Sequence, residues 1–336
     1  PCTPGTGLAT LGGALANDVH GKNHHTSGSF GDHVRAFELV RSTDESLMCT
    51  PDTNPELFRA TIGGLGLTGL VTWIEIQLAP IRNAWLWTES HRFENLGAFW
   101  PLNAEAEQRW PYTVAWIDCL AKGSAQGRGV LFCGQHAAAQ SDWPVYRQRQ
   151  RKFPVMPPVS LVNHLSLRSF NAAYFRQPVY PEGKLSHFMP YFYPLDGIHN
   201  WNRIYGRRGF FQYQCVIPPE NAQSGIPHLL SAIANSGQGS FLAVLKSFGN
   251  RAAPGLLSFS RPGTTLALDF PNKGDITQAL LMRLDEIVAE AGGALYPAKD
   301  ARMPAWMFRA SYPQWESFTQ YVDPAFKSHF WKRVTS

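Results

Sequence analysis

Alternation of apolar and polar side chains marks residues 70–78 as a strand, with Ile74, Ile76 and Leu78 to one side and Glu75 and Gln77 to the other. Pro80 ends it. β-Rich runs bounded by Gly, Pro, Asn or Asp predict further strands over 113–118, 129–133, 210–217, 239–248 and 263–270. A helical period places Ile276, Leu280, Leu284, Ile287 and Val288 on one stripe of a helix over 276–291, and a second helix is predicted over 227–236. Residues 56–62 read as a short helix and 63–69 as a glycine loop. A last helix is predicted to open at Asp323, a good N-cap, with Pro324 in its first position.

Strands grouped between isolated helices predict an α+β fold with a large antiparallel sheet. Residues 1–31 stand apart, rich in Gly and His, the composition of backbone that turns tightly or approaches a ligand closely. The chain changes character again near residue 82, where Trp85, Trp87, Arg92 and Glu94 follow the strand. At 336 residues it exceeds one ordinary core, so two domains, or one large α/β unit with insertions, are expected.

Hydrophobic residues are 44% of the chain and charged residues 16%, which supplies a core and excludes a disordered protein. The net charge of +5 suits an anionic partner without requiring one. Its densest focus is Arg147, Arg149, Arg151 and Lys152, followed by the apolar, proline-broken run 153–159. No aromatic ladder interleaves these charges, so nucleic acid is not expected. The segment reads either as a loop resting on anionic lipid headgroups or as a plain solvated loop. Five cysteines with no CxxC pair argue against a disulfide framework or zinc ribbon and for a reducing compartment. No apolar run reaches the roughly 18 residues of a membrane span, so a cytoplasmic protein, or one attached peripherally to the inner membrane, is expected. The chain begins at Pro1 inside a glycine-rich segment, and an upstream part is expected.

Gly64-Leu65-Gly66-Leu67-Thr68-Gly69 spells a dinucleotide fingerprint, but a helix precedes it and a strand follows, the reverse of what that motif needs. His20-Gly21-Lys22-Asn23-His24-His25 lacks the spacing of a helical zinc site. Its histidines either satisfy loop hydrogen bonds or join the backbone amides and Lys22 in facing an anionic or electron-accepting cofactor. Gln212 and Gln214 share one face of the strand over 210–217. Lys246 sits among Leu242 and Val244, either snorkelling at an edge or placed for an anion, and Lys299 follows a turn after the second helix. No Ser-His-Asp order, P-loop or paired-carboxylate motif supports a hydrolase or kinase.

Several stretches together carry a family resemblance: Thr3-Pro4-Gly5-Thr6, Gly12-Gly13-Ala14, Asp18 to His25, Gly28-Ser29-Phe30-Gly31, Trp201-Asn202-Arg203, Gln212-Tyr213-Gln214, Asp269-Phe270-Pro271 and Ala298-Lys299-Asp300. In this order the chain resembles the decaprenylphosphoryl-β-D-ribose 2-oxidases, flavoenzymes of the vanillyl-alcohol oxidase superfamily. The resemblance spans essentially the whole chain, and the HGKNHH run is its most specific part. It implies a bipartite PCMH-type FAD-binding domain from residues 1–82 and 295–336, whose N-terminal half would lie upstream, around a substrate domain at 83–294. Gly5, Thr10, Leu11, Gly12, Gly13, Asn17, Asp18, Val19, His20, Val71 and Tyr296 would bind FAD.

By the same resemblance Lys299, His20 and Lys22 would act in catalysis, with Lys299 at the flavin N1 and O2 edge, and Trp116, Phe192, Gln212, Gln214, Lys246, Thr265 and Ala267 would meet the sugar. The implied reaction is hydride removal from a ribose carbinol carbon, leaving a 2-keto sugar for a partner short-chain reductase and net epimerisation to arabinose for the cell envelope. Departures from the family fall at Asn17 and Ala267, where it has cysteine, at Phe192, where it has tyrosine, and at Thr265, where it has asparagine. Two alternatives remain: an aldonolactone or alditol oxidase on the same fold, and a non-catalytic binder of lipid-linked sugar.

Overall fold

The computed structural model describes residues 1–138, 143–148, 150–299 and 302–336; Arg149 and Asp300 lie outside the described residues. Its strands are β1 (Val34–Val40), β2 (Ser46–Cys49), β3 (Leu70–Ile76), β4 (Trp85–Phe93), β5 (Tyr112–Ile117), β6 (Gly129–His136), β7 (Arg151–Lys152), β8 (Lys184–His187), β9 (Ile198–His199), β10 (Phe210–Ile217), β11 (Val244–Phe248), β12 (Gly263–Pro271) and β13 (Ala294–Leu295). The α-helices are α1 (Leu11–Ala16), α2 (His24–Ser27), α3 (Pro55–Thr61), α4 (Leu96–Arg109), α5 (His164–Phe175), α6 (Phe188–Phe192), α7 (Pro219–Ser236), α8 (Asp275–Glu290), α9 (Ala305–Ser311), α10 (Trp315–Phe318) and α11 (His329–Thr335).

Eight strands form one antiparallel sheet in the order β13-β10-β12-β11-β5-β6-β4-β8. Because strand side chains alternate, Tyr213, Cys215, Leu245, Leu266 and Leu268 fall on the face that forms the main core. Helices α7 and α8 cover it with Ile226, Leu229, Leu230 and Ile233 from one and Leu280, Leu281, Leu284 and Val288 from the other. Each such side chain contributes roughly 1.5–3 kcal/mol by burial, so Leu284→Ala is expected to cost about 2–5 kcal/mol. The opposite face of β10, β12, β11 and β5 is left for the cavity described below.

A second, three-stranded sheet has the order β2-β1-β3 and packs Phe37, Leu39 and Cys49 against Leu15 of α1 and Phe58 of α3. Together these elements make the fold α+β with a large antiparallel sheet, as the pattern predicts.

Several boundaries differ from the sequence expectation for local reasons. The strand predicted from residue 239 starts at Val244, because Ser240 Oγ engages both the N–H and the carbonyl of Leu242 and bends the approach. Helix α7 starts eight residues before Pro227, which it carries internally. Within it Gly225 packs closely, since a Cβ there would stand 3.1 Å from Ile217 of β10 and 3.3 Å from Ala291. The final helix does not open at Asp323. Asp323 does cap a backbone N–H, that of Ala325, but its other oxygen accepts from the Ser42 N–H and pairs with Arg41, which makes it a tie between the tail and the β1–β2 turn. Helix formation resumes only at α11, with Ser328 as N-cap. β4 and α4 were not anticipated; the segment around Trp85 is the central partner of β6.

Candidate active site

The cavity floor is a grid set by strand register. Gln214 of β10 pairs with Ala267 of β12, Ala267 with Val244 of β11, and Val244 with Trp116 of β5. Two residues along, Thr265 pairs with Lys246, and in the other direction Gln212 pairs with Asp269. A period of two therefore puts Gln212 and Gln214, Thr265, Ala267 and Asp269, and Val244 and Lys246 on one face. They line a cavity of about 720 Å³, within the roughly 300–1,000 Å³ of small-molecule sites.

The opposite wall comes from the N-terminal segment. Thr10 caps α1 by accepting from the Gly13 N–H at 3.0 Å, and the helix ends at Asn17. Asp18 then adopts φ 40° and is wholly buried, its carboxylate accepting from Ser29 Oγ, the Gly31 N–H and Ser258 Oγ. Burial raises Asp18 to about 6 against the lowering effect of those donors. This turn delivers Val19, His20 and Lys22 to the cavity. Gly21 has to be glycine, since a Cβ would stand 2.9 Å from the Thr3 carbonyl oxygen. Residues 3–7 lie across the cavity mouth, held by Thr3 Oγ1 to Tyr193 OH at 2.7 Å and by Thr6 Oγ1 and the Gly7 N–H donating to Asp196.

His20 is the hub. Its Nδ1 is 2.8 Å from Lys246 Nζ and its Nε2 is 3.0 Å from the Gln214 side-chain amide, which also reaches Thr265 Oγ1 at 3.1 Å. Burial and the Lys246 charge push His20 well below its usual range, so the ring is neutral. The other two histidines of the run turn away: His24 Nδ1 accepts from the Gly249 N–H, and His25 Nε2 meets the Trp110 carbonyl. The hydrogen-bonding reading thus describes His24 and His25, and the cavity-facing reading His20 and Lys22. Among the described residues no group of three or more His, Cys, Asp or Glu side chains is placed to hold a metal.

Three amines enter the cavity. Lys246 is buried, donates to the Gly21 carbonyl at 2.7 Å and is lowered to about 7 by burial and by Lys22. Lys22 reaches the Phe192 carbonyl at 3.2 Å, and burial lowers it to about 8. Lys299, on a 3₁₀ turn, meets Gln212 Oε1 at 3.4 Å; burial lowers it while Asp269 opposes the shift. Tyr296 closes this end, its OH donating to the Asn17 carbonyl and its ring stacked on Phe259. Trp116 closes the other, anchored to the Phe241 carbonyl and packed on Tyr174.

Of the residues singled out in the sequence, Gly5, Thr10, Gly13, Asn17, Val19, His20, Lys22 and Tyr296 line this cavity together with Lys299 and the floor residues. Leu11 and Gly12 instead sit exposed on the first turn of α1, and Asp18 is buried behind the wall. Val71 belongs to β3, against the small core, and Phe192 packs behind the wall on Tyr112, offering its carbonyl to Lys22. Asp269 was missed as a site residue. Its place two and four residues beyond Ala267 and Thr265 on a strand was the signal.

An amine-rich cavity with a neutral imidazole and amides suits a polar, anionic ligand, and relatives fix the class. The chain is 35% identical over 338 residues to the decaprenylphosphoryl-β-D-ribose oxidase of Mycolicibacterium smegmatis, covering 96% of this chain and 73% of that one. It is 34% identical over 344 residues to an uncharacterised protein of Streptomyces coelicolor, covering 97% and 92%. A 78-residue stretch, 23% of the chain, is 36% identical to cytokinin dehydrogenase 2 of Arabidopsis thaliana. No protein-family profile matches. The protein is an oxidoreductase. Within that class the chain belongs to the decaprenylphosphoryl-β-D-ribose oxidase family.

Proposed function

We propose that this protein oxidises the 2-hydroxyl of a polyprenylphosphoryl ribose to the 2-keto sugar with FAD as hydride acceptor. The observation that carries the reading is the meeting of Lys22, Lys246, Lys299, Gln212 and Gln214 in one cavity of a chain 35% identical to a decaprenylphosphoryl-β-D-ribose oxidase over nearly its whole length. We infer from the family resemblance that a short-chain reductase acts next on the keto sugar, completing an epimerisation to arabinose for cell-envelope polysaccharide.

The residues present fit a flavin. Gly5 lines the cavity with nothing within 4 Å of where a Cβ would stand, which leaves bare backbone beside which a flat ring can lie. Tyr296, Val19 and Asn17 supply the adjoining wall and Lys299 a cation. We read residues 1–82 and 295–336 as the PCMH-type FAD-binding part and 83–294 as the substrate part. When bound, FAD supplies the two-electron acceptor for the carbinol hydrogen. Lys299 offsets the negative charge that reduction brings, and the Gln212 and Gln214 amides fix the sugar hydroxyls. Among the described residues the Lys22 ammonium reaches a carbonyl and the Tyr191 and Phe192 rings and pairs with no carboxylate, which suits it to meet the phosphate.

Among the described residues no helix is long and apolar enough to cross a membrane. We infer peripheral attachment through the face built by β7 and β9. Backbone bonds from Phe153 to His199 and from Leu161 to Ile204 hold the two segments side by side, exposing Val155, Met156 and Val159 beside Arg151, Lys152, Arg207 and Arg208. Trp201, on the 3₁₀ turn that follows β9, lines the cavity.

The test is to purify the protein, supply FAD and add decaprenylphosphoryl ribose. Visible flavin absorbance that bleaches with the lipid-linked sugar is the expected result. Bleaching by free alditols or aldonolactones alone would move the assignment to those substrates, and failure to take up flavin would overturn it.

A further inference from the structure

A carbinol gives up a hydride readily only if its hydroxyl proton leaves too, and the residue that takes the proton is named by the hydrogen-bond valence of the floor. Lys246 Nζ has two fixed acceptors, the Gly21 carbonyl at 2.7 Å and His20 Nδ1 at 2.8 Å. No carboxylate among the described residues pairs with it. A neutral amine has two hydrogens and one lone pair. Donating both hydrogens to these acceptors leaves the lone pair as the fourth tetrahedral position, at a residue that lines the cavity.

A base that keeps the same partners before and after protonation needs no reorganisation during the step. That holds here when His20 carries its hydrogen on Nε2, so that Nδ1 accepts from Lys246 in either state. In the structure Gln214 Nε2 stands 3.0 Å from His20 Nε2 and donates to Thr265 Oγ1 at 3.1 Å; exchanging the amide nitrogen and oxygen gives the His20 Nε2–H its acceptor and lets Thr265 Oγ1 donate to the same oxygen. Amide orientation follows from such networks. This arrangement turns the Gln214 NH₂ group from the ring.

We propose that Lys246 is the base of the reaction, a neutral amine held by Gly21 and His20, with Gln214 and Thr265 as positioning residues that fix the imidazole tautomer. The inference rests on the oxidase reading above. In the step, the sugar O–H bond breaks and its proton bonds to Nζ; the carbinol C–H bond breaks with its electron pair, which leaves with the hydrogen to the flavin; the C–O bond becomes a carbonyl. The environment favours the neutral amine: burial and the Lys22 charge bring Lys246 to about 7. Facing it are His20, His24 across the Phe248 ring, Lys22 and Cys2. Asp269 is four residues farther along β12 than Thr265, which pairs with Lys246, and Lys299 meets Gln212 opposite Asp269.

Lys246→Arg separates a base from a mere cation, because a guanidinium keeps the charge and does not deprotonate. With the flavin-loaded protein and decaprenylphosphoryl ribose, kcat is expected to fall about 100-fold or more in Lys246→Arg and Lys246→Met, with KM changed far less. The acid limb of the wild-type pH profile, near 7, is expected to vanish in both variants. Independently of turnover, competitive acetylation of wild-type protein followed by peptide mass analysis is expected to label Lys246 with a midpoint near 7, well below the 10.5 of an ordinary lysine. Lys246→Arg with near-wild-type kcat, or a labelling midpoint like that of surface lysines, would overturn the proposal while leaving the oxidase reading intact. A flavin-loaded wild type that oxidises no lipid-linked ribose would sink the oxidase reading and the base with it.

Discussion

Gln212 Nε2 donates to Asp269 Oδ1 at 3.2 Å, which turns the amide oxygen toward Lys299 Nζ at 3.4 Å. Asp269 accepts from Tyr205 OH on its other oxygen and is buried. It thus orients the amide and supports the Lys299 charge through it. Asp269→Asn removes the charge and leaves the Gln212 orientation unspecified, so KM for the sugar is expected to rise roughly tenfold, the value of one to two hydrogen bonds. Stability gives a second readout. Burial raises Asp269 from 3.8 to about 6, so the folded state binds the proton more tightly than the unfolded chain. Its contribution is therefore greatest below about pH 4, is lost as pH rises to about 6, and is flat beyond. Chemical unfolding across that window is expected to show the wild type losing on the order of 2–3 kcal/mol relative to Asp269→Asn.

Lys299→Met is expected to make flavin reduction harder. Removing one cation beside a developing negative charge lowers the two-electron midpoint potential by about 30 mV or more, equal to about 1.4 kcal/mol. Dye-equilibrated reductive titration of the loaded protein checks this, and an unchanged potential would place Lys299 away from the flavin ring.

Arg302 grips Asp285 with two bonds of 2.7 Å, and Asp285 is wholly buried within α8. Arg302→Met removes a bidentate partner from this buried carboxylate and is expected to cost about 3–5 kcal/mol, whereas pairing it with Asp285→Leu recovers most of the loss. Thermal melting of the single and double variants measures both.

Replacing Arg151, Lys152 and Arg207 by Gln is expected to weaken binding to vesicles containing anionic phospholipid by on the order of a hundredfold, at about 1 kcal/mol per basic residue. Co-sedimentation at two salt concentrations reads the effect. Equal binding by wild type and variant would return this face to the solvated loop that the sequence also allows.

Alternation made much of the floor legible. The shared face of Gln212 and Gln214 follows from a period of two, and the same rule on β12 would have added Asp269. Lys246 was ambiguous because a strand lysine among apolar neighbours looks alike at an edge and in a cavity; only the partners β5 and β12, distant in sequence, decide. Asp323 shows the opposite failure. Its capping chemistry was read correctly, but tertiary bonds to Ser42 and Arg41 used the residue to fasten a loop. Likewise Pro227 reads as a boundary in the sequence, whereas the buried stripe of Ala222, Ile226, Leu229, Leu230 and Ile233 runs the helix through it.

The floor row from Gln214 through Ala267 and Val244 to Trp116 joins four strands whose chain order differs from their spatial order. No contiguous fragment short of about residues 112–271 contains this row, so nothing synthesised before β12 has a floor. The cavity floor is therefore completed all at once, when the last central strand slots between two already made.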